Sequence, residues 1–277
     1  MNIVFFGTNY DGSYFLQKLM RKHNIKIVVT DIIENDSLRK FLRRCLLRRR
    51  LTEDIARWSS KILLIDQARI AEKKFVKILK NLNINLGIVA TFSKIIPRDI
   101  IEAIPSGIIN VHPSLLPRYR GANPIFWAIR NGEKVFGVTI HYLNERIDEG
   151  NIILQKKIQI EDHHTIVDCK KIFAKEGVIL LEEVIDMINN GKAESFPQDN
   201  EKASYYPRAK DEYRTLNTDM HDYTDMSNII RASLDRGGAI FWNGEEKILV
   251  KSISRFPPKG RRYIRMNIEN DVLYLLH

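Results

Sequence analysis

Leu86-Gly87-Ile88-Val89-Ala90-Thr91-Phe92-Ser93, followed by Gly107-Ile108-Ile109-Asn110-Val111-His112, sets the fold class. Each segment is a short, continuous apolar run that breaks off into polar residues. Runs of this kind read as strands buried on both faces, the pattern of a parallel sheet. Working outward, Asn2–Phe6 up to Gly7, Lys26–Thr30 and Lys61–Ile65 have the same texture. Between them, residues 13–21 carry Phe15, Leu16, Leu19 and Met20 at helical spacing, and residues 70–82 carry Phe75, Ile78 and Leu79. Residues 37–57 also read as helical. Strand alternating with helix predicts an α/β class: a doubly wound, mostly parallel, Rossmann-like sheet. Ligands of such sheets collect at the carboxyl ends of strands, where Thr91-Phe92-Ser93 and Asn110-Val111-His112 stand.

The remainder of the chain has a different texture. Ile152–Leu154 and Lys156–Ile160 read as two strands, and Thr165–Asn189 as a long helix closed by Gly191. Residues 197–225 are polar and carry Pro197 and Pro207, and they read as a linker. Ala239–Trp242 and Lys247–Lys251 flank Asn243-Gly244, a strong hairpin signal. A second pair, Tyr263–Ile268 and Val272–Leu276, follows. The division expected is a catalytic domain over 1–200 and a small β-rich module over 201–277.

At 277 residues and 44% hydrophobic content the chain can bury a sizeable core. Its two cysteines, Cys45 and Cys169, form neither a disulfide framework nor a zinc pattern, which fits a cytoplasmic protein. The start has no secretory-leader pattern, and no apolar run of about 18 residues suggests a membrane span. Gly7 and Gly12 lack the G-x-G-x-x-G spacing, so dinucleotide binding is rejected. The formal charge of +10 favours polyanionic partners. Much of the excess lies in residues 39–50, which read as a solvated helix face or a phosphate-binding one.

Asn110 and His112 stand two apart on one strand and therefore share a face. With Asp148 they form a carboxamide, an imidazole and a carboxylate. An amide donor beside a proton acceptor suits acyl transfer to an amine: one stabilises an oxyanion, the other manages the proton of the nucleophile. Asn110-Val-His-Pro-Ser-Leu-Leu-Pro-Arg-Tyr-Arg-Gly-Ala-Asn-Pro124, followed by Gly137-Val-Thr-Ile-His-Tyr-Leu-Asn-Glu-Arg-Ile-Asp-Glu-Gly150, resembles the folate-dependent formyltransferases. The resemblance covers residues 1–205 and is weak between 34 and 80. It implies a formyl group taken from N10-formyltetrahydrofolate, with Asn110, His112 and Asp148 as the catalytic set and no metal. It further implies a pterin held between Phe92, Lys94, Ile95 and Ile96 on one side and Asn144, Glu145 and Ile147 on the other, largely through main-chain groups. Ser114, Arg118, Arg120 and Gly121 would line the far side of the cleft, and Tyr10 and Tyr206 would stack on the acceptor. His141 is expected to be structural.

The acceptor amine is less closely defined. The residues after Tyr206 are too few for the barrel that tRNA formyltransferases of this family carry. Residues 203–208 resemble the sugar enzymes' linker into a dimerising β module. The reading is an N-formyltransferase for the amine of a nucleotide-linked, dTDP-type amino-dideoxy sugar used in surface polysaccharide (O-antigen, lipopolysaccharide) synthesis. Under it the protein is a homodimer through exposed Phe241 and Trp242, with no nucleic acid or membrane partner. Methionyl-tRNA formyltransferase is the alternative. A non-catalytic basic nucleotide- or RNA-binding protein is a second one, opposed by the intact Asn/His/Asp set.

Overall fold

The computed structural model describes residues 1–31, 62–219, 221–258, 260, 262–268 and 271–277. The expected helix at 37–57, the basic 39–50 segment, Cys45 and the first residue of the expected strand at 61–65 lie outside the described residues. Two compact units emerge: Met1–His112 with Val138–Lys156 and Ala174–Asn200, and Pro113–Gly137 with Lys157–Phe173 and Glu201–His277.

The main sheet has seven strands: β1 (Asn2–Gly7), β2 (Asn24–Thr30), β3 (Leu63–Asp66), β4 (Leu86–Ala90), β5 (Ile108–His112), β7 (Val135–Tyr142) and β8 (Ile152–Gln159). Their order is β3-β2-β1-β4-β5-β7-β8. The first five run parallel, and β7 joins β5 antiparallel. The doubly wound, mostly parallel reading therefore holds. The two strands expected at 152–160 are one unbroken strand.

Both faces of the sheet are covered, as a parallel sheet requires. Successive residues Ile3, Val4, Phe5 and Phe6 are all buried although they point alternately to opposite sides. Val4, Phe6, Ile27, Val29, Val89 and Ile108 share one cluster with Phe75 and Leu79 of helix α2 (Lys73–Asn81) and Ile100 of helix α3 (Arg98–Glu102). Full burial of a side chain such as Phe75 stabilises by about 1.5–3 kcal/mol. On the other side lie Phe15 of helix α1 (Asn9–Leu19) and the residues of helix α5 (Ile166–Asn189). A Cβ on Gly177 of that helix would stand 2.8 Å from the Phe15 ring and 3.3 Å from Val111. The glycine thus lets the helix backbone press on the strand residue between Asn110 and His112.

In the second unit, β6 (Arg120–Gly121) pairs with β9 (Tyr205–Tyr206). Helix α4 (Pro124–Arg130) is buried along nearly its whole length. The linker reading of 197–225 misses the start of helix α6 (Tyr223–Ser233), whose N-cap Asp222 accepts from the Asp225 N–H at 2.7 Å. Met226, Ile229 and Ile230 of this helix pack with Ala239, Val250, Leu273 and Leu275. Those partners come from a hairpin, β10 (Ala239–Asn243) with β11 (Glu246–Val250), and from a three-stranded sheet of β12 (Ser252–Ser254), β14 (Asp271–Leu276) and β13 (Tyr263–Ile268). Asn243 pairs with Glu246, so the tight turn is Gly244-Glu245, one residue later than expected. Phe241 lies partly against this core, whereas Trp242 is half exposed.

Candidate active site

β5 and β7 carry the centre of the site. Their antiparallel register sets Asn110 opposite His141 and His112 opposite Thr139. Directly opposed residues have Cβ atoms about 5 Å apart on the same face. Val111, between them, is buried on the other face. The strand ends with His112 at 4% exposure and His141 at 0%.

Asp148 reaches this face from the loop between β7 and β8. Its Oδ1 lies 3.5 Å from His112 Nδ1, 3.4 Å from Asn110 Nδ2 and 3.7 Å from His141 Nε2. The carboxylate therefore sits among an amide and two imidazoles, whose ring centroids are 6.3 Å apart. With Nδ1 facing the carboxylate, a proton there leaves the His112 lone pair on Nε2, the form that accepts a proton from a nucleophile.

Three features fix the loop. Its neck is closed by the Tyr142 N–H donating to the Asn151 carbonyl at 2.9 Å. Asp148 adopts φ +56°, a left-handed conformation that a non-glycine residue holds only where its surroundings impose it. The Gln198 side-chain NH₂ donates to the Asp148 carbonyl at 2.7 Å and to the Gly150 carbonyl at 2.8 Å. Gly150 is also required by space: a Cβ there would stand 1.7 Å from the Tyr142 carbonyl oxygen.

The two segments expected to wall a pterin are adjacent. Phe92 packs on Phe6 with centroids 5.6 Å apart, and Ile96 is buried. Lys94 and Ile95 are exposed, Ile95 at 75%. On the facing loop Asn144 accepts from the Arg146 N–H at 2.9 Å, and Ile147 is 47% exposed. Arg98, at the start of α3, bridges Glu102 at 2.6 Å and Glu145 at 3.1 Å, tying that loop to the chain that follows Ile96. Thr8 and Thr91 close the strand ends beside them, each hydroxyl donating to the other's carbonyl.

The remaining expected residues, Tyr10 apart, lie in the second unit. The Ser114 hydroxyl donates to the Arg118 carbonyl at 2.7 Å, and Arg118 pairs with Glu133. Arg120 is buried and pairs with Tyr205. Gly121 takes φ +94° and admits the Tyr206 carbonyl where a Cβ would stand 2.4 Å from it. Tyr206 stacks on Tyr119 at 4.8 Å and accepts from Asn131 at 3.0 Å. Burial holds the Tyr119 phenol well above its usual range. The side chain of Tyr10 lies outside the described residues. Among the described residues no cluster of His, Cys, Asp and Glu could hold a metal ion. No helix among them is long and apolar enough to cross a membrane.

The α/β sheet thus gathers an amide, an imidazole and a carboxylate past the ends of its strands, a set of groups suited to acyl transfer. The family model for formyl transferases matches residues 1–185, and the chain belongs to that family. A methionyl-tRNA formyltransferase of Acetivibrio thermocellus is 33% identical over 62% of this chain and 55% of its own length. Another, from Dictyoglomus turgidum, is 31% identical over the whole of this chain and 90% of its own length. With the first relatives the chain thus matches only about half of their length, and with the second nearly all of it. Among solved structures, WlaRD, a sugar 3N-formyl transferase crystallised with dTDP and 5-N-formyl-THF, superposes with a TM-score of 0.68. That match covers 100% of this chain and 97% of the other at 21% identity, a likeness of fold.

The methionyl-tRNA formyltransferase relatives, at 31–33% identity, overturn the amino-sugar reading of the acceptor. That reading rested on a C-terminal part too short for the tRNA enzymes' barrel. A tRNA formyltransferase nevertheless aligns across the whole chain at 31% identity, so the length of the module does not separate the two classes. The expectation that nucleic acid is not a partner had the same basis and goes with it.

Proposed function

We propose that the protein transfers the formyl group of N10-formyltetrahydrofolate to the α-amino group of methionyl-tRNA. The chemistry is carried by one observation, the convergence of Asn110 and His112 on Asp148 at 3.4 and 3.5 Å. The choice of acceptor is supported by relatives of that activity along the whole chain, and the +10 charge suits an RNA polyanion.

In this reading the amine nitrogen attacks the formyl carbon. A C–N bond forms, and the carbonyl oxygen takes the electron pair. Asn110 donates an N–H to that oxyanion. His112 holds the amine and receives its proton, with Asp148 keeping the ring oriented. The tetrahedral carbon then releases N10, which takes up a proton relayed through a water held by Asp148, and tetrahydrofolate departs. Phe92, Lys94, Ile95 and Ile96, with Asn144, Glu145 and Ile147, wall the pterin, and exposed Ile95 and Ile147 supply its apolar contacts. Tyr10, Ser114, Arg118, Arg120, Gly121 and Tyr206 serve the acceptor side. Residues 1–200 form the catalytic part and 201–277 an appended module. Half-exposed Trp242 is the contact for a homodimer, which light scattering of the purified protein tests.

The deciding assay offers N10-formyltetrahydrofolate with methionyl-tRNA, uncharged tRNA or dTDP-linked amino sugars, and follows tetrahydrofolate release. Turnover only with methionyl-tRNA supports the proposal. Turnover only with an amino sugar refutes it.

A further inference from the structure

The Asn110 carboxamide has two ends of nearly equal size, and only its neighbours decide which end faces the site. On one side stands His141, its cross-strand partner in the β5/β7 register. His141 Nδ1 lies 2.8 Å from the Tyr142 carbonyl oxygen, which can only accept, so Nδ1 carries the proton. In the neutral ring Nε2 is then the lone pair. It lies 3.1 Å from Asn110 Nδ2, so the amide must turn its NH₂ to that side. The second hydrogen of the same NH₂ points to Asp148 Oδ1 at 3.4 Å.

We infer that His141 is a positioning residue: a neutral imidazole, locked in one tautomer by the Tyr142 carbonyl, that aims the donor end of Asn110 at the reaction centre. This rests on the reading of Asn110 as oxyanion donor. Both amide hydrogens are engaged in the resting site, one by His141 and one by Asp148. The bond to Asp148 is the longer, and it is the one a developing oxyanion takes over. During transfer the bond to His141 is what remains to hold the amide's sense. A reversed amide would set its oxygen against the oxyanion and against Asp148. The relay from the Tyr142 carbonyl to the His141 ring and on to the Asn110 amide lies wholly within the first unit.

Two substitutions separate this role from core packing. Gln at 141 places an amide oxygen near the position of Nε2 and still accepts from Asn110. Asn at 141 reaches only the position of Nδ1: it satisfies the Tyr142 carbonyl but leaves Asn110 without its acceptor. His141→Asn should lower kcat by about 10- to 100-fold, less than the 10²–10³-fold typical of deleting an oxyanion donor outright, with KM for the folate within about twofold. His141→Gln should return kcat to within about fivefold of wild type, since the acceptor is restored. Equal loss in both variants, or no loss in His141→Asn, overturns the inference. Nitrogen-15 NMR of histidine-labelled protein reads the ring without turnover. Two buried histidines, His112 and His141, should show the Nδ1–H tautomer, and the signal absent from His141→Gln is that of His141. An Nε2–H tautomer at His141 overturns the inference whatever the acceptor. Should wild-type protein leave methionyl-tRNA unformylated, the proposed acceptor fails while the NMR result still decides the role of His141.

Discussion

Replacing Gly150 by Ala tests how tightly the site depends on the loop that carries Asp148. The new Cβ would stand 1.7 Å from the Tyr142 carbonyl oxygen and 2.7 Å from its carbon. An ordinary carbon–oxygen approach is about 3.3 Å, so one strand or the loop must yield by about 1.6 Å. Neither can do so quietly. Tyr142 is tied through its N–H to Asn151, its carbonyl holds His141 Nδ1, and Gln198 grips the carbonyls on both sides of Glu149. Overpacking of this kind costs about 1–3 kcal/mol of stability. The larger effect falls on catalysis. A misplacement of about 1 Å in a reacting constellation costs about 10²-fold, or about 2.7 kcal/mol in the barrier. We therefore expect kcat for formyl transfer to fall about 100-fold with folate affinity little changed, since the wall residues lie on the outer part of the loop. Gly191→Ala is the control. Gly191 has φ +67° with nothing within 4 Å of a Cβ, so it loses about 1–2 kcal/mol to backbone strain and keeps its activity. Steady-state kinetics and thermal melts of both variants decide. A Gly150→Ala enzyme within threefold of wild-type kcat, or a Gly191→Ala enzyme equally impaired, would refute the reasoning.

Four further outcomes follow from the same geometry. His112→Ala should abolish transfer while leaving folate binding by fluorescence or calorimetry near wild type; full turnover would remove His112 from its role. Gln198→Leu, which takes both hydrogen bonds from the loop, should lower kcat by about tenfold and make the segment around Asp148 exchange amide hydrogens faster, since the carbonyls on both sides of Glu149 lose that anchor. Asp168 accepts from the Thr165 hydroxyl and N–H at the head of α5, which holds its carboxyl below the usual range. Because the folded form has the lower pKa, its stabilisation is complete above the unfolded carboxylate pKa and fades as pH falls through the folded one. Asp168→Ala should accordingly lower the melting point at neutral pH, by about 1 kcal/mol of capping, and by less in acid. The Cys169 thiol, pushed up to about 11 by burial, should resist alkylation in native Cys45→Ser protein and react only on unfolding.

The sheet was legible because its signal is local. Continuous apolar runs and helical spacings need no knowledge of partners, and strands 2–7, 86–90 and 108–112 fall where those runs stand. Asn110, His112 and Asp148 were legible for a different reason, a long motif shared with a family. Helix α6 was passed over although Asp222 as cap and Met226, Ile229 and Ile230 at helical spacing were present; the polar residues between them masked the stripe. His141, Gly150 and Gln198 were not legible as parts of the site. The place of His141 depends on the register of two strands, that of Gly150 on one carbonyl, and that of Gln198 on a contact 50 residues away along the chain. None of these leaves a trace in local composition.

The grip of Gln198 on the Asp148 loop bears on where the protein can be cut. The family match ends at residue 185, before this side chain and before Phe196, whose backbone bridges to Ile152 at the foot of β8. A fragment trimmed to the matched boundary would keep the whole recognisable motif and still release the carboxylate. A working unit therefore has to reach past the matched boundary at least as far as this amide, and any chimera joining this head to another tail has its seam beyond residue 198.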